Sequence, residues 1–430
     1  MSGALPAPLW LYRAGTALLE PAAVALLLWR TRRGKEDPQR RRERRGIATA
    51  PRPEGPLVWL HGASIGETLS LLPLGERLTR RGLNLLLTSG TRTSAELLSR
   101  RLPPGAVHQF LPVDVPRWVR RFLDHWRPDL VLFAESEIWP NVLTELDRRG
   151  VPIVLVNARL SERSARRWQK VPEAATALLS RFALCLAQSQ ADAERLSRLG
   201  APVAVAGNLK FDVSPPPADP RVLGQLSGLV AGRPVWVAAS THPGEEEAVL
   251  AAHAAFAERP DLLTIIVPRH PVRGAQVASL AAAAGLAYAR RSEGGRPDRD
   301  VQVYIADTVG ELGLFYRLTP LAFMGGSLVP HGGQNPIEPA KLGAAILHGP
   351  HVHNFADVYA AIDRAGGALP VPDADALARS LADLLPDPGL TRDMARAAGD
   401  AVEALGGALD RTLRAIEPYL PSPDLRRAAP

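Results

Sequence analysis

From Pro56 onward the chain repeats one pattern, and that pattern restricts the fold more than any other feature. A short unbroken apolar run is followed by a segment of helical period, and then by another apolar run. The runs fall at 57–61, 83–89, 130–133, 153–157, 183–188 and 203–207, and then at 235–239, 262–268, 301–306, 321–324 and 345–348. Helical patterns such as 68–81 and 191–199 lie between most of them. A strand with one face in water alternates in polarity; it is apolar throughout only when both faces are covered. Such strands alternating with helices predict an α/β fold of parallel, doubly wound sheets. The series breaks at 212–220, which contains Ser-Pro-Pro-Pro-Ala-Asp-Pro and reads as an extended connector. Two Rossmann-like domains of similar size result, 47–211 and 221–430, with a final helix at 401–419 placed to pack back on the first. Ligands of such folds sit at the carboxyl ends of the strands, here expected in the cleft between the halves.

Residues 1–46 stand apart. Leu9 to Trp29 is mostly apolar, with Trp10, Tyr12 and Trp29 near its ends. Its length is close to the roughly 20 residues that a bilayer core requires. Arg13 and Glu20 oppose insertion, at a cost on the order of 3 kcal/mol for a central charge. From Arg30 to Gly46, nine Arg or Lys stand against three Asp or Glu. A single marginal span and a helix lying in the interface both fit this N-terminal membrane anchor. Either holds the body at the anionic cytoplasmic face of a membrane. A cleaved signal peptide is disfavoured because the charges follow the apolar run. The flank carries +6 of the net +7, so the body is nearly neutral and no nucleic-acid partner is expected. The one cysteine, Cys185, excludes an intrachain disulfide.

The candidate site motifs follow the ends of apolar runs. The first run continues into Gly62-Ala63-Ser64-Ile65-Gly66-Glu67, which matches Gly-x-Ser-x-Gly, the nucleophile elbow. That reading makes Ser64 a hydrolase nucleophile, but the elbow fold needs several preceding strands and only one is present. The other reading is a glycine-rich turn presenting Glu67 at a helix start, where a carboxylate can act as general base toward an acceptor hydroxyl. A first-turn carboxylate favoured by the helix dipole gives the same pattern. Glu135 and Glu137 flank Ser136 just beyond the run 130–133, as site acids or as helix-cap acids. Lys210 lies at the expected hinge, where an ammonium can reach a phosphate leaving group or stay in solvent.

In the second half, Ser240 to Glu245, Pro268-Arg269-His270-Pro271, Asp307 to Glu311 and the stretch from Gly325-Gly326-Ser327 to Asn335-Pro336-Ile337-Glu338 are strand-to-helix turns. Free backbone N–H groups in them, together with Arg269, suit a nucleotide phosphate. A helix is expected near Pro336, with Glu338 in its first turn to accept ribose hydroxyls. His348, His351 and His353 lack the spacing of a metal site, and none is expected. Neither a Walker A pattern nor Gly-x-Gly-x-x-Gly is present.

Taken together, His61-x-x-Ser64-x-Gly66-Glu67, Glu135-Ser136-Glu137-Ile138-Trp139-Pro140-Asn141, Asn157-Ala158-Arg159-Leu160-Ser161, Gly207 to Asp212, Pro268 to Pro271 and Gly333-x-Asn335-Pro336-x-Glu338 resemble the Kdo transferases, the 3-deoxy-D-manno-octulosonic acid transferases of lipopolysaccharide synthesis. The likeness runs from the N-terminal anchor to Glu417-Pro418-Tyr419-Leu420-Pro421. It implies a GT-B glycosyltransferase that takes the sugar from CMP-Kdo and inverts the anomeric carbon. The acceptor it implies is the 6′-hydroxyl of an acylated lipid A disaccharide precursor. It assigns Glu67 as base, with Ser64 and Gly66 on the acceptor side. Glu135 or Glu137, with Lys210, would stabilise the transition state. Pro268, Arg269, Val309, Gly310, Glu311, Gly326, Ser327, Asn335, Pro336, Ile337 and Glu338 would hold CMP. No cofactor is implied beyond the donor substrate. The flank Arg40 to Gly46 keeps the family's charge but lacks its usual aromatic residue. A UDP-sugar transferase of the same fold, a Ser64 hydrolase and a non-enzymatic membrane scaffold are the competing readings.

Overall fold

Fourteen strands form two parallel seven-stranded sheets in the computed structural model, which describes residues 5–422. The first sheet contains β1 (Leu57–Gly62), β2 (Asn84–Ser89), β3 (Val107–Phe110), β4 (Leu130–Ala134), β5 (Ile153–Ala158), β6 (Leu184–Ala187) and β7 (Val203–Val205), in the order β3-β2-β1-β4-β5-β6-β7. The second contains β8 (Val235–Thr241), β9 (Leu263–Pro268), β10 (Tyr288–Arg290), β11 (Val303–Ile305), β12 (Leu321–Met324), β13 (Ala345–His348) and β14 (Ala368–Pro370), in the order β10-β11-β9-β8-β12-β13-β14. The strand order reverses between β1 and β4 in one sheet and between β8 and β12 in the other. These switch points are where an open α/β sheet leaves a crevice for ligands.

The eleven apolar runs correspond to eleven of these strands. The three that were not anticipated, β3, β10 and β14, are all edge strands. They read Val-His-Gln-Phe, Tyr-Ala-Arg and Ala-Leu-Pro. An edge strand is short, often polar and tolerant of proline, so it need not carry a continuous apolar run, although the fourth edge strand, β7 (Val-Ala-Val), does.

The first unit comprises residues 5–213 and 406–422, and the second residues 214–405. One face of the first sheet buries Trp59, Phe122 and Phe133, with the Trp59 ring 4.8 Å from Phe122 and 5.2 Å, edge-on, from Phe133. The other face packs Val58, Leu60, Leu78 and Leu132 against Ala408, Leu413 and Ile416. The expected final helix, 401–419, is therefore two. Pro388–Leu405 ends at Gly406-Gly407, where Gly407 has φ +80°, and Ala408–Ile416 joins the first unit. Asp212 holds that turn by accepting from Gly407 N at 2.7 Å and Leu409 N at 2.6 Å.

The N-terminal segment also departs from expectation. Instead of one helix from Leu9 to Trp29 there are two, Ala7–Leu18 and Glu20–Arg32, bent by 63°. Pro21 explains the break, since it has no N–H and its ring displaces the preceding turn. Among the described residues no single helix is long and apolar enough to cross a bilayer; the bent pair passes only on joint length and composition. The pair docks through its polar side chains. Tyr12 Oη donates to Asp114 at 3.0 Å, Asn141 Nδ2 donates to Thr16 Oγ1 at 3.0 Å, and Trp118 Nε1 donates to Glu20 at 2.8 Å. Trp10, Leu11, Leu18, Leu19, Leu26 and Trp29 are left exposed.

The basic flank is likewise part of the fold. Glu43 is fully buried and accepts from Arg40, from Thr49 Oγ1 at 2.6 Å and from Phe110 N at 2.7 Å. Glu36 pairs with both Arg30 and Arg44. Arg32, Arg33, Lys35 and Arg42 remain exposed.

Candidate active site

Three carboxylates collect at the switch point of the first sheet. The chain leaves β1 at Gly62 and turns into the helix Ile65–Arg80. Gly62 lacks room for a side chain, because a Cβ would stand 2.9 Å from Thr68 N. Ser64 is the N-cap and accepts from Glu67 N, while Glu67 reaches back to Ala63 N at 2.8 Å and receives Ser64 Oγ–H at 2.7 Å. This is close to a capping box, with the carboxylate reaching the amide one residue before the N-cap rather than that of the N-cap itself. Glu67 is partly exposed, and a Cβ on Gly66 would meet nothing within 4 Å. Glu67 has no cationic side-chain partner among the described residues.

The other two acids follow β4, the neighbour of β1. Glu135 takes a left-handed backbone, φ +55°. Its Oε1 lies 2.7 Å from Lys210 Nζ, an ion pair whose angle falls outside that of a hydrogen bond. Glu137 Oε2 accepts from Trp139 Nε1 at 2.7 Å and lies 3.1 Å from Nε2 of the buried His61. Burial alone would raise the Glu137 pKa, but the bonds from His61 and Trp139 and the His61 charge hold it below the ordinary carboxylate range. His61 is fixed from its other side by Thr88 Oγ1 at 2.8 Å.

Lys210 sits on a 3₁₀ turn, Leu209–Asp212, held by two asparagines. Asn157 Oδ1 accepts from Leu209 N at 2.9 Å, and Asn208 Oδ1 accepts from Lys210 N at 3.0 Å. Asn157, the penultimate residue of β5, has φ +52° and lies within a register shift against β6, and its Nδ2 is buried without a partner. Among the described residues four non-glycine positions have positive φ, and three of them, Glu135, Asn157 and Ser240, stand at or just beside strand carboxyl ends. Strained backbone of this kind costs about 1–3 kcal/mol and concentrates at functional sites.

In the second unit the switch point is organised by a residue that sequence reasoning placed only within a turn. Glu245 is fully buried, and its carboxylate accepts from His242 N (2.9 Å), Gly326 N (2.6 Å), Ser327 N (2.9 Å) and Leu328 N (2.9 Å). Gly326 and Ser327 were expected to offer these N–H groups to a nucleotide. They give them to Glu245 instead, and the Ser327 hydroxyl is spent on Met324 O and Gly349 N. Nothing local in the sequence signals this, because Glu245 precedes the loop by some eighty residues.

The remaining turns line the same edge. Arg269 follows β9, is exposed and has no acidic ion-pair partner among the described residues. Nearby, Arg273 pairs with fully buried Glu246 at 2.5 Å, and the His242 ring lies 4.0 Å from His331. Burial, His331, His270 and the two arginines push His242 down to about 4. Val309 is 86% exposed, Gly310 has φ +85°, and the N–H groups of Val309, Gly310 and Glu311 have no acceptor among the described residues. Glu311 itself is gripped by Arg291 through two 2.5 Å bonds, which hold its carboxyl below the usual range. Asn335 Oδ1 accepts from Ile337 N at 3.1 Å, and Glu338 lies in the first turn of Ile337–Lys341, a helix of only five residues. Pro268 closes β9 and Pro336 precedes that short helix. His348 bonds Gly349 O at 2.7 Å and Asp363 at 3.1 Å rather than joining His351 and His353. No group of three potential metal ligands occurs among the described residues.

Comparison with known proteins converges on one family. Residues 39–213 match the family model described as 3-Deoxy-D-manno-octulosonic-acid transferase (kdotransferase). The 3-deoxy-D-manno-octulosonic acid transferase of Bordetella pertussis is 40% identical over 387 residues, covering 87% of this chain and 90% of that protein. The C-terminal CMP-Kdo binding domain of WaaA from Acinetobacter baumannii is 33% identical, covering 43% of this chain and 97% of that domain with a TM-score of 0.41. A glycosyltransferase from Rickettsia africae covers 85% of this chain and 98% of its own, with a TM-score of 0.58 at 13% identity. That last likeness concerns the fold alone, the pair of parallel-sheet α/β domains found in GT-B glycosyltransferases. On its sequence identity over nearly the whole of a curated relative, the chain belongs to the 3-deoxy-D-manno-octulosonic acid transferases, a glycosyltransferase family.

Proposed function

We propose that this protein transfers Kdo from CMP-Kdo to the 6′-hydroxyl of an acylated lipid A disaccharide precursor, with inversion, and that Glu67 is the base. The observation that carries the reading is the unequal occupancy of the three acids. Glu135 is paired with Lys210, and Glu137 is held by His61 and Trp139 with a depressed pKa, which makes both poor proton acceptors. Glu67 receives only bonds from its own turn. In one displacement, Glu67 takes the proton of the acceptor hydroxyl, the acceptor oxygen bonds the anomeric carbon, and the bond from that carbon to the phosphate oxygen breaks on the opposite face. CMP leaves with the electron pair of that bond. Glu135 and Lys210 stabilise charge in the transition state, where such groups lower the barrier most. Arg269, the turn Val309 to Glu311 and Asn335 to Glu338 hold CMP. No metal takes part.

The protein works at the cytoplasmic face of the inner membrane. Support comes from the docked N-terminal pair, which turns Tyr12, Thr16 and Glu20 toward the body and leaves Trp10, Leu18, Leu19 and Trp29 exposed beside Arg32, Arg33 and Lys35. Apolar burial with flanking cations is how an interfacial helix is held. The test is transfer itself. Purified protein, CMP-Kdo generated in situ and a tetraacylated precursor should yield lipid heavier by one or more Kdo residues, with the inverted anomer by NMR. A folded protein that neither transfers Kdo nor binds CMP would refute the proposal.

A further inference from the structure

A cavity of about 350 Å³ opens in the first unit between the helix Glu20–Arg32 and the carboxyl edge of the sheet. Its lining is mostly apolar, with Ala23, Leu26, Leu27, Leu111, Val113 and Trp139, and includes the polar side chains of Arg30, Glu36, Arg44 and His61. Ala63 and Gly90 also line it, and Ala63 N–H is the donor that holds Glu67. Trp139 lines the cavity while its indole N–H is bonded to Glu137. The cavity thus shares wall residues with the partners of the candidate site's acids, and its apolar lining is accompanied by two arginines that share Glu36.

On these grounds, and resting on the transferase reading above, we propose that this cavity receives one acyl chain of a phosphorylated glycolipid acceptor, so that the N-terminal helix is a wall of the acceptor site. Its volume is at the small end of ligand pockets, which span roughly 300–1,000 Å³, and that fits one chain rather than several. The apolar wall suits methylenes, each worth about four-fold in affinity when buried. Arg44 is spent on Glu36 and the carbonyls of Leu111 and Gly90, whereas Arg30 gives only its Nε–H to Glu36 and suits an anionic headgroup. The exposed surface of Trp10, Leu18 and Trp29 lies outside this cavity's lining and is left to the bilayer.

Two measurements on the full chain test this. A glucosamine phosphate carrying one diazirine-bearing acyl chain, cross-linked by light and mapped by mass spectrometry, is expected to label residues 23–27 and 111–113. Label confined to Trp10, Leu18 and Trp29 would overturn the proposal, because the chain would then lie in the membrane. Leu26→Asp, at a position already half exposed, and Ala23→Phe, which fills the space, should each raise KM for the tetraacylated acceptor about ten-fold, with CMP affinity and melting temperature unchanged. Unchanged acceptor KM in both variants would also overturn it. Labelling of the cavity by a wild type that transfers nothing would instead sink the transferase reading and leave the acyl site standing.

Discussion

Replacing Glu245 by Gln removes no more than a charge and an oxygen, yet it should be among the most damaging isosteric changes in the second unit. Each carboxylate oxygen accepts two backbone N–H groups, Oε2 from His242 and Gly326, Oε1 from Ser327 and Leu328. An amide replaces one acceptor by a donor, so whichever way it turns, two buried N–H groups face an NH₂. A buried donor left unsatisfied costs about 1–3 kcal/mol, which puts the loss at roughly 2–6 kcal/mol. For a unit of about 200 residues each kcal/mol shifts Tm by about 2–4 °C, so a drop on the order of 10 °C is expected for the transition of that unit. The loop from Gly325 to Glu338 should loosen with it, and CMP affinity should fall. Scanning calorimetry of the full chain, with and without CMP, reads both effects. A Glu245→Gln protein that melts within about 1 °C of wild type would refute the reasoning, since a satisfied buried carboxylate cannot be that indifferent to losing half its donors.

Gly66→Ala should separate stability from activity. The added methyl meets no atom within 4 Å and replaces glycine in a helix, a change worth up to about 1 kcal/mol in favour of the fold, so Tm should hold or rise. Transfer should nevertheless fall if the acceptor lies over this turn, and unchanged KM would argue that it does not. A second test uses pH. Burial, then the charge of Arg233, lowers His253 from 6.5 to about 4. A folded-state pKa below the unfolded value means the unfolded chain binds the extra proton between those limits. The stability that depends on His253 is therefore full above about pH 6.5 and declines as pH falls toward 4, by at most about 3 kcal/mol, and His242, lowered to the same range, adds its own loss. Urea titrations across that window should show the combined slope, and His253→Gln should lessen it while leaving the His242 share; an equal slope in the variant would contradict the assignment.

Much of the architecture was legible because burial leaves a local signature. The inner strands β1, β4, β8 and β12 are covered on both faces, and each opens with an unbroken apolar run of at least four residues. Their carboxyl ends follow directly, so Glu67, Glu135 and Glu137 could be placed at one edge before any coordinates. The bend at Pro21 and the split at Gly406-Gly407 also had visible signals, a proline and a glycine pair inside apolar patterns, which the overall hydrophobicity outweighed. Other features had no local signal. Edge strands β3, β10 and β14 lack an apolar run. Whether a glycine-rich loop offers its N–H groups to a ligand depends on what else reaches them, and here the Glu245 side chain arrives from a distant turn. The same holds for the docking of the basic flank, which is tied to the body by bonds such as Phe110 N to Glu43 and Arg44 to Leu111 O that join distant segments.

The central claim is that Glu67 accepts the acceptor's proton, and it is tested most directly by single-turnover transfer with Glu67→Gln. Glutamine keeps an oxygen for Ala63 N or Ser64 Oγ, so the helix cap survives in part and CMP affinity should match wild type. The first-order rate of Kdo transfer should drop by about 10²–10⁴, the usual worth of a general base, without a matching rise in acceptor KM. A rate within a few-fold of wild type in a folded, CMP-binding Glu67→Gln protein would contradict the account and move the base elsewhere.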